Sequence, residues 1–235
     1  VLLLAGSRGK TGAAVLAAQA ALRVGAGLVT VATPRSVLPV VASLAPELMT
    51  EGLPETEDGT VSLEALNCGR LDKIVEDKAV LAVGPGLTTT KETSALVRQV
   101  VAKYEHPLVL DADGLNAFSG YMDTLSGRGR TRVLTPHPGE MARMKGISSA
   151  EVQAKRIELT CNMAVQNELH VALKGYRTLT ASPTGEVWIN PTGNPGMATA
   201  GTGDVLTGMI AGLLAQYPGH PVSEVVAAAI YLHGL

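Results

Sequence analysis

Between Asn190 and Gln216 the sequence reads NPTGNPGMATAGTGDVLTGMIAGLLAQ, and no other stretch narrows the choice of fold as much. Pro191, Gly193, Pro195 and Gly196 stand too close together for a helix or a central strand, so the first half is loop. From Val205 the apolar residues Leu206, Met209, Ile210, Leu213 and Leu214 recur at three- and four-residue steps, the spacing of a helix. The join, Ala200-Gly201-Thr202-Gly203-Asp204, is a glycine-rich turn entering a helix N-terminus. Such a terminus carries unpaired backbone N–H groups and about half a positive charge, and glycines let an oxyanion approach them. Asp204 is then a carboxylate placed to act as a base beside a bound phosphate. A structural explanation stands next to this one: Asp is favourable in a first helical turn, and Gly-Thr-Gly makes a tight turn.

The rest of the chain alternates short apolar runs with Gly/Pro turns and helical patterns. Val1–Ala5 reads as a buried strand, followed by Gly6-Ser7-Arg8-Gly9 and a helix from about Thr11 to Val24 whose alanines allow close packing. Leu28–Thr33 is the next strand, Pro34 opens a helix running to about Leu44, and Glu51–Thr60 is a polar surface loop. Ala79–Val83 is a strand ending in Gly84-Pro85-Gly86, and Lys91–Tyr104 is an amphipathic helix. Pro107–Asp111 leads to Ala112-Asp113-Gly114. Acids just past a strand often border an active crevice, yet Asp113 can equally cap the short helix after it, so neither Asp111 nor Asp113 receives a chemical step. Arg132–Thr135 leads into Pro136-His137-Pro138-Gly139-Glu140. Ser148–Asn167 reads as one helix with Ser148 as N-cap and Glu151 completing a capping box. His170–Lys174 is a strand, Arg177–Ser182 and Glu186–Asn190 form a hairpin around Pro183-Thr184-Gly185, and Val222–Leu232 is a last helix.

Strands alternating with helices predict an α/β fold in three layers, a mostly parallel central sheet with helices on both faces, spanning residues 1–235 as a single domain. In such sheets ligands gather at the C-terminal strand ends. The segments Gly6–Ala13, Gly84–Gly86, Thr135–Glu140, Lys174–Thr178 and Gly201–Asp204 all follow predicted strands, which gives five motifs one address.

Composition removes several classes. A net charge of −2 with one Phe and one Trp offers neither a basic footprint nor stacking platforms for nucleic acid. No apolar run is long enough to span a bilayer. Cys68 and Cys161 are too few for a disulfide framework and fit a reducing, cytoplasmic setting. Val1 falls inside a strand and Leu235 inside a helix, so the segment is expected to be a fragment or an ordered core, cut at both ends.

The run Asn190–Gly208 resembles, nearly residue for residue, the signature of the ADP/ATP-dependent NAD(P)H-hydrate dehydratases, a branch of the ribokinase-like superfamily. Thr-Pro-His-Pro-Gly-Glu at 135–140, Gly-Pro-Gly at 84–86, Asp-Ala-Asp at 111–113, Thr-Gly-Ala at 11–13 and Lys-Gly-Tyr-Arg-Thr at 174–178 extend the resemblance along nearly the whole chain. It implies a ribokinase-like fold and a lyase that repairs hydrated NADH or NADPH, spending ADP or ATP with Mg²⁺. It further implies that Gly201, Thr202 and Gly203 form the anion hole and that Asp204 is the catalytic base. Ala13, Gly86, His137 and Asp204 would contact the hydrated nicotinamide. Lys174, Gly175, Tyr176, Arg177, Thr178 and Gly203 would line the adenine nucleotide, and Glu140 would organise Mg²⁺ through water. From the residues alone, Ala13 as a packing residue and His137 as a structural histidine stand beside these roles. A homo-oligomer of tetramer size or larger, and an epimerase fused or separate, complete what the family implies.

Other readings fit less of the chain. A ribokinase-like kinase of a vitamin precursor or sugar shares Gly-Thr-Gly-Asp but not the motifs at 136–140 and 190–196. A nucleotide-binding sensor would not need Asp204, Gly203 and His137 together. Gly9-Lys10-Thr11 is not a P-loop, because Leu4 stands where that motif needs glycine, and Gly6-Ser7-Arg8-Gly9 lacks the dinucleotide spacing.

Overall fold

The computed structural model describes residues 1–235. Its first part runs β1 (Leu2–Leu4), α1 (Thr11–Arg23), β2 (Thr30–Pro34), α2 (Leu38–Leu44), β3 (Met49–Leu53), α3 (Glu64–Asn67), α4 (Arg70–Val75) and β4 (Leu81–Val83). The middle adds α5 (Lys91–Lys103), β5 (Leu108–Leu110), α6 (Asp113–Asn116), β6 (Arg132–Leu134), α7 (Pro138–Lys145), α8 (Ser149–Ala154) and α9 (Arg156–Asn167). The last part is β7 (His170–Leu173), β8 (Leu179–Ala181), β9 (Val187–Ile189), α10 (Thr202–Gln216) and α11 (Val222–His233).

The strands form one sheet in the order β3-β2-β1-β4-β5-β6-β7-β8-β9. All pairs from β3 through β7 are parallel, and the hairpin adds β8 and β9 antiparallel at the far edge. Successive side chains on a strand face opposite ways, and here both ways are buried. Leu2, Leu4, Leu81, Val83, Leu108 and Leu110 enter one core with α4, α5, α7 and α9. Leu3, Ala82, Val109 and Val133 enter a second core with α1, α10 and α11. This is the expected three-layer α/β arrangement, and it explains why the strands read as unbroken apolar runs.

One helix pair positions the rest. Ala17 and Ala21 of α1 face Gly208 and Gly212 of α10, so the two backbones meet. A Cβ on Gly208 would lie 1.9 Å from the Ala17 carbonyl oxygen. Leu206, Ile210 and Leu213 are buried beside this seam, each contributing about 2 kcal/mol of apolar burial. The N-terminus of α10 is thereby held at a fixed height over the C-terminal edge of the sheet.

Three local expectations change. Pro34 closes β2, paired with Leu53, instead of opening a helix; the helix-entry proline is Pro39, inside the first turn of α2. Glu51–Thr60 is only partly loop, because Met49–Leu53 pairs along β2 as an edge strand and buries Leu53 completely. Ser148–Asn167 is two helices broken at Lys155 (φ −124°, ψ 35°). Ser148 does cap, accepting from the Glu151 N–H at 3.1 Å, but the complete capping box lies elsewhere, at His137 and Glu140. No glycine or proline marks the break at Lys155, so no residue signalled it.

Candidate active site

The strand order reverses between β1 and β4, the place where open α/β sheets bind ligands. The turns after these two strands are knitted together: Gly6 N donates to Pro85 O at 2.8 Å, and Ser7 Oγ donates to Gly86 O at 2.7 Å. Gly86 has φ +68°, and a Cβ there would meet the Lys10 carbonyl at 2.7 Å and the Ala13 methyl at 3.1 Å. Gly86 and Ala13 therefore form one tight wall at the switch point. Asp113 closes it from below, accepting the Thr88 N–H at 2.8 Å and pairing with Lys10 at 3.3 Å. It makes no side-chain cap on α6, so the capping role considered for it does not hold.

Further along the sheet edge lies a cleft of about 690 Å³, a volume typical of small-molecule sites. Lys174, Gly175, Tyr176, Arg177 and Thr178 form one side of it, and residues of the Asn190–Thr199 loop form the other. His137, Thr202, Gly203, Leu206, Ile230, His233 and Gly234 complete the lining. Arg156 holds the first side in shape, donating to the Tyr176 carbonyl at 2.7 Å and the Arg177 carbonyl at 3.3 Å. Ala13, Gly86, Gly201, Asp204 and Glu140 are not part of this lining; the first two belong to the switch-point wall.

The N-terminus of α10 stands where the two regions meet. Gly201 takes a left-handed conformation (φ +89°) and supplies no side-chain cap. The N–H groups of Gly203 and Asp204 have no acceptor within the protein. Asp204 is half-buried, and its carboxyl is pushed up to about 6 by burial first, then by Asp111 and Asp113, against the pull of Lys174. Its charge thus responds to groups from both regions, and its position on the pH scale suits a base working near neutrality.

Beneath it lies a buried charged group. Lys174 Nζ is 2.7 Å from Asp111 Oδ1 and 3.7 Å from Glu140 Oε2. Thr207 Oγ1 donates to Asp111 Oδ2 at 2.6 Å. Burial works against the Lys174 ammonium, but Asp111 and Glu140 outweigh it and raise its pKa. Burial raises the pKa of Glu140 in spite of Lys174. Lys174, expected along the nucleotide, is therefore also the counter-ion of two carboxylates. Asp111, left without a role from sequence, is its closest partner. The only signal for Asp111 was an acid directly after a strand, which many structural residues share.

His137 has the structural role considered for it, as the cap of α7, and it also borders the cleft. Its Nδ1 accepts from Gly139 N at 2.9 Å and Glu140 N at 3.4 Å, while Glu140 Oε2 accepts from His137 N at 2.7 Å. Nδ1 as an acceptor leaves the proton on Nε2, which lies 3.5 Å from Glu140 Oε1 without a hydrogen bond to it. Burial, then Lys174 and Arg143, lower its pKa, so the ring is neutral near pH 7.

The family model described as NAD(P)H-hydrate dehydratase matches residues 1–235. The chain belongs to this family. It is 49% identical over 234 residues to the bifunctional NAD(P)H-hydrate repair enzyme Nnr of Moorella thermoacetica, covering 100% of this chain and 43% of that protein. Against the ADP-dependent (S)-NAD(P)H-hydrate dehydratase of Bacillus subtilis it is 37% identical over 237 residues, with 99% and 78% covered. The chain thus spans less than half the length of the bifunctional relative. Among solved structures, the ADP/ATP-dependent dehydratase from Bacillus subtilis, co-crystallized with ATP/Mg²⁺ and soaked with CoA, superposes with a TM-score of 0.80 at 35% identity, covering 99% of this chain and 79% of that one. A myo-inositol kinase at 11% identity and a TM-score of 0.63 shares the ribokinase-like fold alone.

The family implies magnesium. No group of three or more His, Cys, Asp or Glu side chains converges as a metal cage. Magnesium is commonly held by substrate phosphates, waters and one or two carboxylates. Glu140, buried behind Lys174 at 3.7 Å, is one carboxylate of the kind that second arrangement uses.

Proposed function

We propose that this chain is a nucleotide-dependent dehydratase that restores hydrated NADH or NADPH, with ADP or ATP as phosphoryl donor. The observation that carries the reading is the uncapped N-terminus of α10 with the Asp204 carboxylate in its first turn. The nucleotide would lie in the cleft, its base and ribose along Lys174–Thr178 and its phosphates toward Gly203. The hydrated nicotinamide would lie against Ala13 and Gly86, with the His137 Nε2–H as a donor to it.

In the first step a P–O bond forms to the 6-hydroxyl oxygen as the bond to the leaving nucleotide breaks. Asp204 takes the hydroxyl proton, a contribution of about 10²–10⁴ in rate. In the Gly201–Asp204 turn the N–H groups of Gly203 and Asp204, which lack an acceptor, would stabilise the charge on the transferring phosphoryl group, each such donor worth ~3 kcal/mol in the transition state. Inorganic phosphate then leaves C6, a proton leaves the neighbouring ring carbon, and the double bond of the dihydropyridine is restored. Magnesium, when bound, neutralises phosphate charge, with Glu140 as its protein contact through water. Lys174 pairs with Asp111 and Glu140 and holds both carboxylates close to the site.

We also place the protein in the cytoplasm, as a homo-oligomer of tetramer size or larger, working with an NAD(P)H-hydrate epimerase fused to it or separate. Two unpaired cysteines support the first of these, and the bifunctional relatives support the last. No helix of the chain is long and apolar enough to cross a membrane.

The experiment is a spectrophotometric assay of purified protein with hydrated NADH, Mg²⁺ and either ADP or ATP. A nucleotide-dependent return of NADH absorbance with equimolar phosphate release supports the reading, and the better nucleotide names the donor. Nucleotide consumption with vitamin precursors or sugars, and none with hydrated NADH, would replace it with a kinase.

A further inference from the structure

α11 ends between the cleft loop and the turn that opens α10, and residues 231–234 make three separate bonds to them. Thr192 Oγ1 donates to the Tyr231 carbonyl at 2.9 Å, and Gly193 N donates to the Gly234 carbonyl at 3.0 Å. His233 Nε2 lies 3.0 Å from the Thr202 carbonyl oxygen. A carbonyl can only accept, so Nε2 carries the proton and donates. The first two bonds hold the cleft loop, and the third holds the turn that opens α10.

The third bond has a consequence fixed by covalent geometry. The Thr202 carbonyl and the Gly203 N–H belong to one planar trans peptide unit and point in opposite directions. Whatever holds the carbonyl therefore aims the N–H. The carbonyl faces into the first turn of α10, and His233 occupies its other lone pair, so the unit is held from two sides. First turns fray without such support, and Gly201 and Gly203 flank this one with no side chains of their own. The Gly203 N–H has no acceptor in the protein and borders the cleft.

We propose that His233 is a positioning residue for the phosphate-binding turn: its Nε2–H fixes the Thr202 carbonyl and so aims the Gly203 N–H at the phosphoryl group. The catalytic half of this inference rests on the dehydratase reading; the aiming of the amide does not.

Two variants separate positioning from simple support. His233→Phe keeps the ring and removes the donor; His233→Gln keeps an amide donor at similar reach. In the dehydratase assay, His233→Phe should lower kcat about tenfold to a hundredfold, with KM for the nucleotide within about threefold, and His233→Gln should recover most of it. The second readout needs no turnover. Titration with inorganic phosphate should shift the Gly203 amide resonance in the parent and in His233→Gln, and leave it unmoved in folded His233→Phe. An unchanged kcat in His233→Phe, equal losses in both variants, or a Gly203 amide indifferent to phosphate in the parent would each overturn the proposal. If the parent restores no NADH but its Gly203 amide responds and the variants divide as stated, the dehydratase reading fails and the positioning role stands.

Discussion

Two helices present their N-termini to the same cleft, and they are finished in opposite ways. At α7, His137 and Glu140 close the end completely: Nδ1 accepts two backbone N–H groups, and the Glu140 carboxylate accepts a third. At α10, Gly201 offers no side chain, and the N–H groups of Gly203 and Asp204 remain unpaired. A closed end is a stable support with no capacity left for a ligand. An open end carries the desolvation cost of its unpaired donors until an anion arrives, which is the property a phosphoryl site needs. On the proposed function the anion would sit at α10, and α7 would be the rigid mount for His137 and the Glu140 carboxylate.

The largest effect should come from the carboxylate at the open end. Asp204→Asn is expected to lower turnover ~10²–10⁴-fold with nucleotide affinity retained, read by the NADH assay and by calorimetric titration. Near-normal turnover would sink the base assignment, and with it the functional difference between the two ends.

Next is the charged group under both. Lys174→Met leaves Asp111 and Glu140 without their cation, and such a change typically costs about 3–5 kcal/mol. Urea unfolding near neutral pH should show the loss. A midpoint equal to that of the parent would mean that the carboxylates do not depend on Lys174.

The pH profile is third. With its carboxyl at about 6, Asp204 is protonated below that value, so kcat/KM should fall tenfold per unit on the acid side of pH 6. Its effect on stability has the opposite sense. The folded state holds this proton more tightly than the unfolded chain, so folding gains the full benefit below about pH 4. That benefit declines as pH rises toward about 6 and is absent above it. Asp204→Asn should accordingly gain Tm over the parent at pH 8 and lose that advantage near pH 4. A constant difference across this range would mean an ordinary carboxyl pKa.

The smallest expected stability change sharpens the comparison most. His137→Asn keeps a good helix cap and removes the Nε2 donor, so Tm should change little, within about 1 kcal/mol. KM for hydrated NADH should rise instead. A large fall in Tm with KM unchanged would reduce His137 to its capping role.

Much of this organisation was legible from the residues. The loop of prolines and glycines, the three- and four-residue steps after Val205, and the turns at Gly84–Gly86 and Pro136–Gly139 gave strand ends and helix starts, because glycine and proline act through local sterics. Edges and breaks were less legible. Met49–Leu53 has a mixed pattern and becomes a strand only because β2 offers it a partner. Lys155 breaks a helix without a breaking residue. In the site, Asp204 and His137 stood out through their spacing to neighbours, whereas Asp111, Thr207 and His233 did not. Their partners lie 63, 96 and 31 residues away in the chain.

By itself, then, the sequence determined the local grammar: most of the strands, where the glycine-rich turn enters its helix, and which carboxylate sits in that first turn. Those follow from backbone sterics and hydrophobic periodicity within a few residues. Only the tertiary structure decided that α1 and α10 touch backbone to backbone at Gly208, that Lys174 is shared by Asp111 and Glu140, and that His233 reaches the Thr202 carbonyl. Which end of which helix stays open depends on what the rest of the chain brings to it, and a short-range pattern carries no record of that.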